Sequence, residues 1–346
     1  MKIGVLTGGG DCPGLNATLR GLVRRGVTEY GMEFVGFRDA WRGVVERDHI
    51  DLNIPAVRGL LPRGGTVLGT SRYSPFLVDD GVARVHRTVA DLGIEGMVVI
   101  GGEGSMAASQ KLTDQIGLPV IGVPKTIDND VALTDRTFGF DTAVHVASEA
   151  LDRLHTTAES HHRVHVVEVM GRSAGWIALH AGLSGGANAV LIPEIPLDHA
   201  GMDRLIGWVE SRFASSFSPI VVVAEGVRPE EGVLKSMTVE RFDELGRPRY
   251  GGVGAAVAAE LESRTGYEVR TTTLGYVQRG GTPTSYDRVL ATRFGLNAAT
   301  AVRDGAWGTM VALQGTDIVR VPLAEVAGKT RTVPRALYEE ASAFFG

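Results

Sequence analysis

The sequence predicts an α/β fold with two αβα layered domains, each built on a mainly parallel sheet. Short apolar runs alternate with longer amphipathic stretches along most of the 346 residues. Glycine-rich turns follow several of the apolar runs, and the chain contains 46 glycines. Because strands that alternate with helices form parallel sheets covered by helices, these observations predict a layered α/β architecture.

Apolar periodicity and glycine turns assign the elements in chain order. The predicted strands are KIGVLTGGG, MEFVGFRDAW, GMVVIGG, LPVIGVPKT, RVHVVEVMGR, AVLIPE, SPIVVVAEGV and VRTTTLGYVQRGG. The predicted helices are LNATLRGLVRRGVTEYG (closed by Gly31), GVARVHRTVADLG, SMAASQKLTDQIG, TAVHVASEALDRLHTTAES, GWIALHAGLSGG, MDRLIGWVESRF, VGAAVAAELESRTG and SYDRVLATRFGLNAATAVRDG. The polar segment 228–252 is predicted to be a surface excursion.

Composition and charge argue against several classes of protein. The formal net charge is −5, which argues against bulk nucleic-acid binding. No apolar run reaches the length of a membrane span, and the N-terminal run is too short for a signal peptide. The chain has one cysteine, Cys12, so no intrachain disulfide can form, and we expect a cytoplasmic protein.

Two glycine-rich loops follow predicted strands and open predicted helices. The first glycine loop comprises residues 8–14 and the second glycine loop residues 101–105. Glycine lets the backbone approach an anion, and a helix N-terminus offers free N–H groups and a positive dipole. Glu103 would repel phosphate unless a cation intervenes, which points to Mg²⁺. A tight turn explains either loop alone equally well, but the two together favour a phosphate ligand.

Known nucleotide-binding motifs fit these loops poorly. Neither loop is a Walker A motif, because no G-x-x-x-x-G-K-[ST] occurs in the chain. A Rossmann dehydrogenase is the rival interpretation of the first glycine loop. Its Asp-Cys-Pro segment breaks the usual dinucleotide fingerprint, which argues against that rival.

An acidic segment, residues 125–130 (KTIDND), follows another predicted strand. Asp128 and Asp130 are two residues apart, so in extended chain both point to one side. Phosphoryl transfer to an alcohol needs a base for the hydroxyl proton and neutralisation of the charge on the moving phosphoryl group. The two carboxylates suit one base and one metal ligand, and Lys125 adds a point charge. A solvated Asp/Asn-rich turn is an equal alternative.

Three polar residues follow predicted strands of the second half: Arg172, Glu225 and Arg279. Arginines beside a carboxylate at strand ends suit a sugar-phosphate pocket, in which arginine binds phosphate and glutamate binds hydroxyls. For each arginine singly, a surface salt bridge is the more common explanation.

Taken together, these stretches resemble the phosphofructokinase family. The motifs that carry the resemblance are GGDCPGLNA, RGGTVLGTSR, GGEGS, PKTIDND, TFGFDTA, ESHHRVHVVEVMGRSAGW, AEG and LGYVQRGGTPTSYDR, in family order. The resemblance implies two αβ domains with the active site in the cleft between them. Residues 1–139 with 278–328 would bind the donor, and residues 140–277 with 329–346 the sugar phosphate. The implied reaction, part of glycolysis, phosphorylates the 1-hydroxyl of fructose 6-phosphate to give fructose 1,6-bisphosphate.

The resemblance also implies a role for each motif residue. The catalytic residues would be Asp128 as base with Thr126, Lys125 and Arg172, and the Mg²⁺ ligands Glu103 and Asp130. The donor side would comprise Gly10, Trp41 near the nucleoside, Arg72, Gly102, Gly104 and Ser105. The sugar-phosphate side would comprise Thr126, Asp128, Arg163, Met170, Gly171, Arg172, Glu225, Arg270, Tyr276 and Arg279. Arg163 and Arg270 match arginines that the family lends across a subunit interface, which implies a homo-oligomer, a dimer at least and usually a tetramer.

Two positions give opposite indications of the phosphoryl donor. Lys125 is typical of pyrophosphate enzymes of this family. Gly104 leaves room for the α-phosphate of ATP, which the aspartate of pyrophosphate enzymes would crowd and repel. We weight Gly104 more and expect an ATP-dependent kinase; a pyrophosphate-dependent phosphofructokinase is the alternative. The mixed pattern resembles an actinobacterial subgroup that contains both donors.

The acceptor and the presence of activity have alternatives as well. Tyr276 replaces a histidine of the family motif, and tyrosine cannot carry positive charge at neutral pH. Another sugar phosphate, such as sedoheptulose 7-phosphate, is therefore an alternative acceptor. A non-catalytic sugar-phosphate or nucleotide sensor is the alternative of a different class, and the set Glu103, Thr126, Asp128 and Asp130 argues against it.

Overall fold

The computed structural model of the chain describes residues 1–215, 218–236, 241–242, 248–249 and 251–346. The chain divides into two units. Unit 1 is Met1–Thr142 with Arg279–Arg331, and unit 2 is Ala143–Gln278 with Thr332–Gly346. Among the described residues, no helix combines the length and the apolarity that crossing a membrane requires.

Strands and helices of the described residues are numbered here in chain order. The strands are β1 (Lys2–Thr7), β2 (Glu33–Phe37), β3 (His49–Leu52), β4 (Gly96–Gly101), β5 (Val120–Thr126), β6 (Phe138–Gly139), β7 (Val164–Val169), β8 (Ala189–Leu191), β9 (Ile220–Ala224), β10 (Arg241–Phe242), β11 (Pro248–Arg249), β12 (Val269–Thr273), β13 (Thr309–Gln314) and β14 (Asp317–Pro322). The helices are α1 (Leu15–Tyr30), α2 (Trp41–Glu46), α3 (Gly81–Asp91), α4 (Glu103–Ile116), α5 (Phe140–His161), α6 (Trp176–Ser184), α7 (His199–Ala214), α8 (Val253–Thr265), α9 (Ser285–Arg303), α10 (Leu323–Val326) and α11 (Arg335–Ser342).

Unit 1 is built on a sheet whose strand order in the described residues is β14-β13-β5-β4-β1-β2-β3, with β6 paired to β5. The inner strands pair in parallel. The edge strands β3 and β14 pair antiparallel with β2 and β13. In register, Thr7 pairs with Ile100 and Gly101 pairs with Pro124. The carboxyl ends of β1, β4 and β5 therefore lie side by side, and the two glycine loops and the acidic segment all leave the sheet there.

Glycines let α1 and α9 cross closely on unit 1. A Cβ on Gly21 would lie 2.7 Å from the Thr292 carbonyl oxygen, and one on Gly295 would lie 2.3 Å from that of Thr18. Real Cβ atoms do not approach a backbone oxygen this closely, so only glycine permits the observed contact. The packed helix pair fixes the start of α1, which is where the first glycine loop ends.

Unit 2 is built on a smaller sheet, which in the described residues has the order β12-β7-β9-β8 with every pairing parallel. Val169 at the end of β7 pairs with Ala224 at the end of β9. Because the two strands end together, the residues that follow them become neighbours. The two mainly parallel sheets with their helices confirm the predicted α/β class.

The predicted strands and helices are present, and the strands are shorter in the structure than the predicted segments. Helix α1 ends at Tyr30 because Gly31 adopts a left-handed φ of 62°. Strand β2 stops at Phe37 because Asp39 and Ala40 have φ values of 52° and 61°. Strand β12 stops at Thr273, and a 3₁₀ turn, Gly275–Gln278, replaces the predicted extension. The predicted surface excursion 228–252 contains residues 237–240, 243–247 and 250, which lie outside the described residues.

Asp287, in the first turn of α9, is a buried carboxylate that should make stability depend on pH. Its Oδ2 accepts hydrogen bonds from the backbone N and the Oγ1 of Thr142, at 2.8 and 2.6 Å. Burial raises the pKa of Asp287 from 3.8 to about 6. Between these pH values the folded chain holds a proton that the unfolded chain has lost. This group therefore lowers the free energy of unfolding as pH rises through that window.

An Asp287→Asn variant should lose that part of the pH dependence, about 3 kcal/mol between pH 3.8 and about 6. The amide oxygen can still accept both bonds from Thr142. Urea unfolding of wild type and variant at several pH values measures the difference. Asp114→Asn, which changes an exposed carboxylate of α4, is the control. Equal pH dependence in the wild type and in Asp287→Asn would contradict this role of Asp287.

Candidate active site

The first glycine loop connects β1 to α1 and exposes backbone donors. Gly14 caps α1 with a φ of 107°, and a Cβ on it would lie 2.7 Å from the Phe138 ring. The N–H groups of Gly8 and Gly9 donate to carbonyl oxygens of unit 1. Across the described ranges of the chain, no acceptor faces the N–H groups of residues 10–12. Such unpaired N–H groups form a binding concavity for an anion.

The second glycine loop leads from β4 into α4. Helix α4 begins at Glu103, and its N-cap residue Gly102 has no side chain to bind the first turn. A Cβ on Gly101 would lie 2.3 Å from Ser105 Oγ, and one on Gly8 would lie 2.8 Å from the same atom. Ser105 therefore packs between the two glycine loops and brings them together. The N-terminal amides of α4 face the same end of the sheet as the first loop.

Residues of the acidic segment are buried at the end of β5, contrary to a solvated turn. The backbone N of Asp128 donates to Thr126 Oγ1 at 3.0 Å, and Asn129, at φ 52°, accepts from Thr137 N at 3.0 Å. Asp128 is 3 % exposed, and its Oδ1 has no hydrogen-bond partner among the described residues. A buried, unpaired carboxylate oxygen is costly unless a ligand completes its bonding. Asp128 therefore offers one acceptor oxygen that no described residue uses.

Two buried cations lie against the first glycine loop. Lys125 Nζ donates to the carbonyl oxygen of Gly10, and burial lowers the pKa of this lysine. Arg279 Nη1 donates to the carbonyl oxygen of Asp11 at 3.2 Å. Arg279 belongs to unit 1, and its role at the sugar phosphate stays a prediction.

Cys12 is the single cysteine and sits inside the first glycine loop. Its side chain is fully buried, with Sγ 3.6 Å from the carbonyl oxygen of Phe138. Burial raises the pKa of the thiol to about 12, so it stays protonated at neutral pH. The thiol is therefore a packing group of the loop.

Glu103 and Asp130 are the two carboxylates that the sequence predicts as ligands of a divalent cation. Glu103 opens α4 after β4, and Asp130 follows the adjacent strand β5. In the described parts of the chain, no three His, Cys, Asp or Glu side chains converge on one point. Mg²⁺ commonly takes one or two carboxylates and fills its shell with water and substrate phosphates. This donor set fits Mg²⁺ that arrives with a phosphate ligand.

Two residues expected on the donor side, Trp41 and Arg72, lie outside the two glycine loops. Trp41 is 3 % exposed and lies in the hydrophobic core of unit 1 with Val44, Val99 and Met106. Its ring therefore offers no open face to a nucleoside base. Arg72 is exposed, in the segment after β3. The resemblance assigned these positions by motif, which does not reveal whether a side chain is buried.

In unit 2, the ends of β7 and β9 assemble Met170, Gly171, Arg172 and Glu225. Glu225 Oε1 accepts from Gly171 N at 3.3 Å and from Arg172 N at 3.0 Å. Arg172 has a left-handed φ of 52°, and its side chain is exposed. The Glu225 carboxylate therefore stabilises this strained turn, on which the Arg172 guanidinium is exposed to solvent.

Sequence reasoning missed Gln278, which supports the same turn. It is fully buried, its Oε1 accepts from Met170 N at 3.3 Å, and its Nε2 donates to the carbonyl oxygen of Gly275. Its place between Tyr276 and Arg279 in the YVQRGG motif was the available signal. Tyr276 itself is 78 % exposed on the 3₁₀ turn.

Arg163 and Arg270 lie together where β7 and β12 begin. Both bind Glu268: Arg163 Nε lies 2.7 Å from Oε2, and Arg270 Nη2 contacts Oε1. The hydrogen bond from Arg163, followed by the charges of both arginines, holds the pKa of Glu268 below its usual range. Sequence reasoning missed Glu268, because its contact depends on the β7–β12 pairing.

The chain matches known proteins over most of its sequence. Residues 2–302 match the family described as Phosphofructokinase. A Streptomyces coelicolor protein named pyrophosphate–fructose 6-phosphate 1-phosphotransferase is 60% identical, with all of both chains covered. ATP-dependent 6-phosphofructokinase 3 of the same organism is 54% identical, with 99% of each chain covered.

A solved structure agrees in fold. The pyrophosphate-dependent phosphofructokinase of Nitrosospira multiformis superposes with a TM-score of 0.85, at 22% identity, and the match covers 100% of this chain and 92% of that one. The chain belongs to the phosphofructokinase family, which confirms the resemblance drawn from the motifs.

Proposed function

We propose that the chain transfers a phosphoryl group from pyrophosphate to the 1-hydroxyl of fructose 6-phosphate, in glycolysis. Three relatives named for pyrophosphate are 56% to 60% identical to the chain. Relatives named ATP-dependent are 51% to 54% identical. The relatives thus support the pyrophosphate alternative better than our expectation of ATP. Their names also support an enzyme over a non-catalytic sensor.

The observation that carries the proposal is the buried ammonium of Lys125 on the first glycine loop. A leaving phosphate gains charge in the transition state, and a fixed cation in a site of low dielectric stabilises that charge. The burial of Trp41 is a second support, because pyrophosphate needs no surface for a nucleoside base.

ATP remains the second candidate because of Gly104. This residue is exposed in the first turn of α4, and a Cβ on it would meet nothing within 4 Å. The space around it is therefore open to the α-phosphate and the rest of a nucleotide.

Asp128 would act as the general base. Its carboxylate takes the proton of the 1-hydroxyl while that oxygen bonds to the terminal phosphorus, and the bond from this phosphorus to the bridging oxygen breaks. The electron pair leaves with the departing phosphate, whose charge Lys125 neutralises. Bound Mg²⁺, held by Glu103 and Asp130, would supply charge neutralisation on the transferred phosphoryl group. Thr126 fixes the backbone of Asp128 through the 3.0 Å bond.

The test is an assay that follows fructose 1,6-bisphosphate with magnesium pyrophosphate or magnesium ATP as donor. We expect the larger kcat/KM with pyrophosphate; a larger value with ATP would overturn the donor assignment. The Gly104→Asp variant should lose any ATP use and keep pyrophosphate use, because the new carboxylate repels the α-phosphate. Gly104→Ala is the matched control, since it adds a Cβ without charge.

The acceptor side rests on Arg172 and Glu225, with the relatives' names supporting fructose 6-phosphate. Sedoheptulose 7-phosphate stays the alternative because of the uncharged, exposed Tyr276. The same assay with this sugar as acceptor distinguishes the two. Binding of both substrates without product would instead favour the sensor.

The oligomeric state is proposed on the same basis. We take the chain to be a homotetramer, or at least a dimer, in which Arg163 and Arg270 bind the phosphate of a sugar in a neighbouring subunit. Both side chains belong to one surface cluster with Glu268, which supports a shared anion-binding role. Light scattering gives the mass of the assembly, and a monomer that is fully active would contradict the proposal.

A Gly226→Ala variant should impair the acceptor side selectively. A Cβ at position 226 would lie 1.6 Å from the Arg172 carbonyl oxygen, so the turn must move. A displacement of about 1 Å lowers kcat/KM for the sugar phosphate by about 10²-fold. Gly207→Ala in α7 is the control, because its Cβ would meet nothing within 4 Å. A normal kcat/KM in Gly226→Ala would refute the assigned role of this turn.

A further inference from the structure

The stretch of chain that follows α10 runs alongside the end of the acidic segment. Thr330 forms an isolated antiparallel bridge with Val131. The backbone N of Arg331 donates to the carbonyl oxygen of Asp130 at 2.7 Å. The Nη1 of the same arginine donates to the carbonyl oxygen of Asn129 at 3.4 Å. Arg331 therefore binds two successive carbonyl oxygens of the acidic segment, one with its backbone and one with its side chain.

Asn129 is the residue at which the acidic segment turns. It is buried and has a left-handed φ of 52°, which is uncommon for a residue other than glycine. Such a conformation persists only where the surrounding structure holds it. Thr137 N donates to the Oδ1 of Asn129 at 3.0 Å, and the Arg331 guanidinium donates to its carbonyl oxygen. The turn is thus held through the side chain of Asn129 by one residue and through its backbone by the other.

Asp128 and Asp130 flank this turn, so its backbone angles set the direction in which each carboxylate points. The Oδ1 of Asp128 has no hydrogen-bond partner among the described residues. The placement of this oxygen therefore comes from the backbone and from packing. A general base must lie within hydrogen-bond reach of the proton that it takes. A small change in the turn would consequently displace the base from that position.

We propose that Arg331 is a positioning residue for the general base, acting through the carbonyl oxygen of Asn129. Its guanidinium is charged, and a hydrogen bond from a charged donor is stronger than one between neutral groups. The inference rests on the proposed function, in which Asp128 takes the proton of the 1-hydroxyl. It extends that function to a residue outside the motifs that carry the family resemblance.

Steady-state kinetics of the full chain measure the effect on the reaction, with fructose 6-phosphate and whichever donor the wild type uses better, magnesium pyrophosphate or magnesium ATP. Arg331→Met keeps the backbone bond to Asp130 and loses the side-chain bond to Asn129. It should lower kcat about tenfold or more, because a displacement of about 1 Å can cost about 10²-fold. Both KM values should change by less than about twofold, since the loss falls in the transition state. Arg331→Lys should recover part of the rate, because its ammonium can still donate to the carbonyl oxygen.

A double-mutant cycle separates positioning of the base from a general effect on the fold. If Arg331 acts through Asp128, adding Arg331→Met to Asp128→Asn should lower kcat further by less than about twofold. A general structural effect would lower kcat by the same factor in both backgrounds. Arg293→Met is the matched control. Arg293 lies in α9 and also donates to a backbone carbonyl oxygen of unit 1, that of Thr316 at 2.6 Å, and its variant should leave kcat unchanged.

Hydrogen–deuterium exchange tests the hold on the acidic segment without turnover. Peptides that contain residues 126–131 should exchange faster in Arg331→Met than in the wild type and in Arg293→Met, because the segment opens more often when the bond to Asn129 is absent. Arg331→Lys should exchange at an intermediate rate.

Three results would overturn the inference: a kcat of Arg331→Met equal to that of the control, equal reductions of kcat in both backgrounds, and unchanged exchange of residues 126–131. A wild type that forms no fructose 1,6-bisphosphate with either donor would contradict the proposed function. The exchange comparison would then still decide whether Arg331 holds the acidic segment.

Discussion

An Asp128→Asn variant is expected to fold normally and to lose about 10²- to 10⁴-fold in kcat. The amide has the size of the carboxylate but cannot take the proton of the attacking hydroxyl. The site tolerates the exchange because Thr126 binds the backbone of residue 128, at 3.0 Å, and not its side chain. Oδ1 has no partner among the described residues, so no internal hydrogen bond of that oxygen is lost.

Steady-state kinetics with saturating substrates measure this loss, and circular dichroism with a thermal melt verifies the fold. Asp114→Asn in α4 serves as control, because its carboxylate is exposed and accepts a hydrogen bond from Gln110 Nε2 at 2.8 Å. A kcat for Asp128→Asn within a few-fold of the control would exclude Asp128 as the base.

A Lys125→Met variant is expected to lose about 10²- to 10³-fold in kcat/KM for the phosphoryl donor. Methionine fills the space of the lysine stem but removes the charge and the bond to Gly10 O. Lys111→Met is the matched control. Lys111 is an exposed lysine in α4 of the same unit, and its Nζ lies 4.1 Å from the centre of the Phe76 ring. An equal donor kcat/KM in the two variants would contradict the role of Lys125.

The pH dependence of the donor step follows from the same residue. Burial lowers the pKa of Lys125 below its ordinary 10.5. The charged form is the one that stabilises phosphate, and it is lost as pH rises through the lowered pKa. The kcat/KM for the donor should therefore fall on the alkaline side before pH 10.5 is reached. Lys125→Arg, whatever its absolute rate, should lack this fall, because arginine keeps its charge there.

How much of the fold could be predicted depends on whether an element's signal is local. Helix α1 begins after Gly14 and ends before Gly31, and both glycines are visible in the sequence. The hairpin β13–β14 was not predicted, although the apolar runs MVAL and DIVRV flank a turn at Gly315, where φ is 60°. Helices α10 and α11 are short, of 4 and 8 residues, and fall below the window of about 11 residues over which helical periodicity is recognised.

The side chains of the candidate site could likewise be predicted only where the signal in the sequence is local. The parallel alternation predicts that the two glycine loops and the acidic segment lie at one edge of a sheet. That they are neighbours depends on the strand order β5-β4-β1. The contact between Glu268 and Arg163 depends on the pairing of Val164 with Val269, which no local pattern encodes. The burial of Trp41 likewise depends on how α2 packs. Residue type and spacing identified the chemistry, but tertiary packing decides which side chains face a ligand.

The rate at which a reagent modifies the buried thiol of Cys12 would report how often the first glycine loop opens. A reagent that attacks thiolates can reach Sγ only when the first glycine loop leaves its packed position, since the side chain is fully buried. Because the sequence holds one cysteine, every modified molecule carries the label at that one atom. The labelling rate at fixed pH therefore reports the opening equilibrium of a single loop, without an introduced probe. A cysteine introduced at an exposed position would react before Cys12. A dye could therefore be attached selectively to the introduced cysteine.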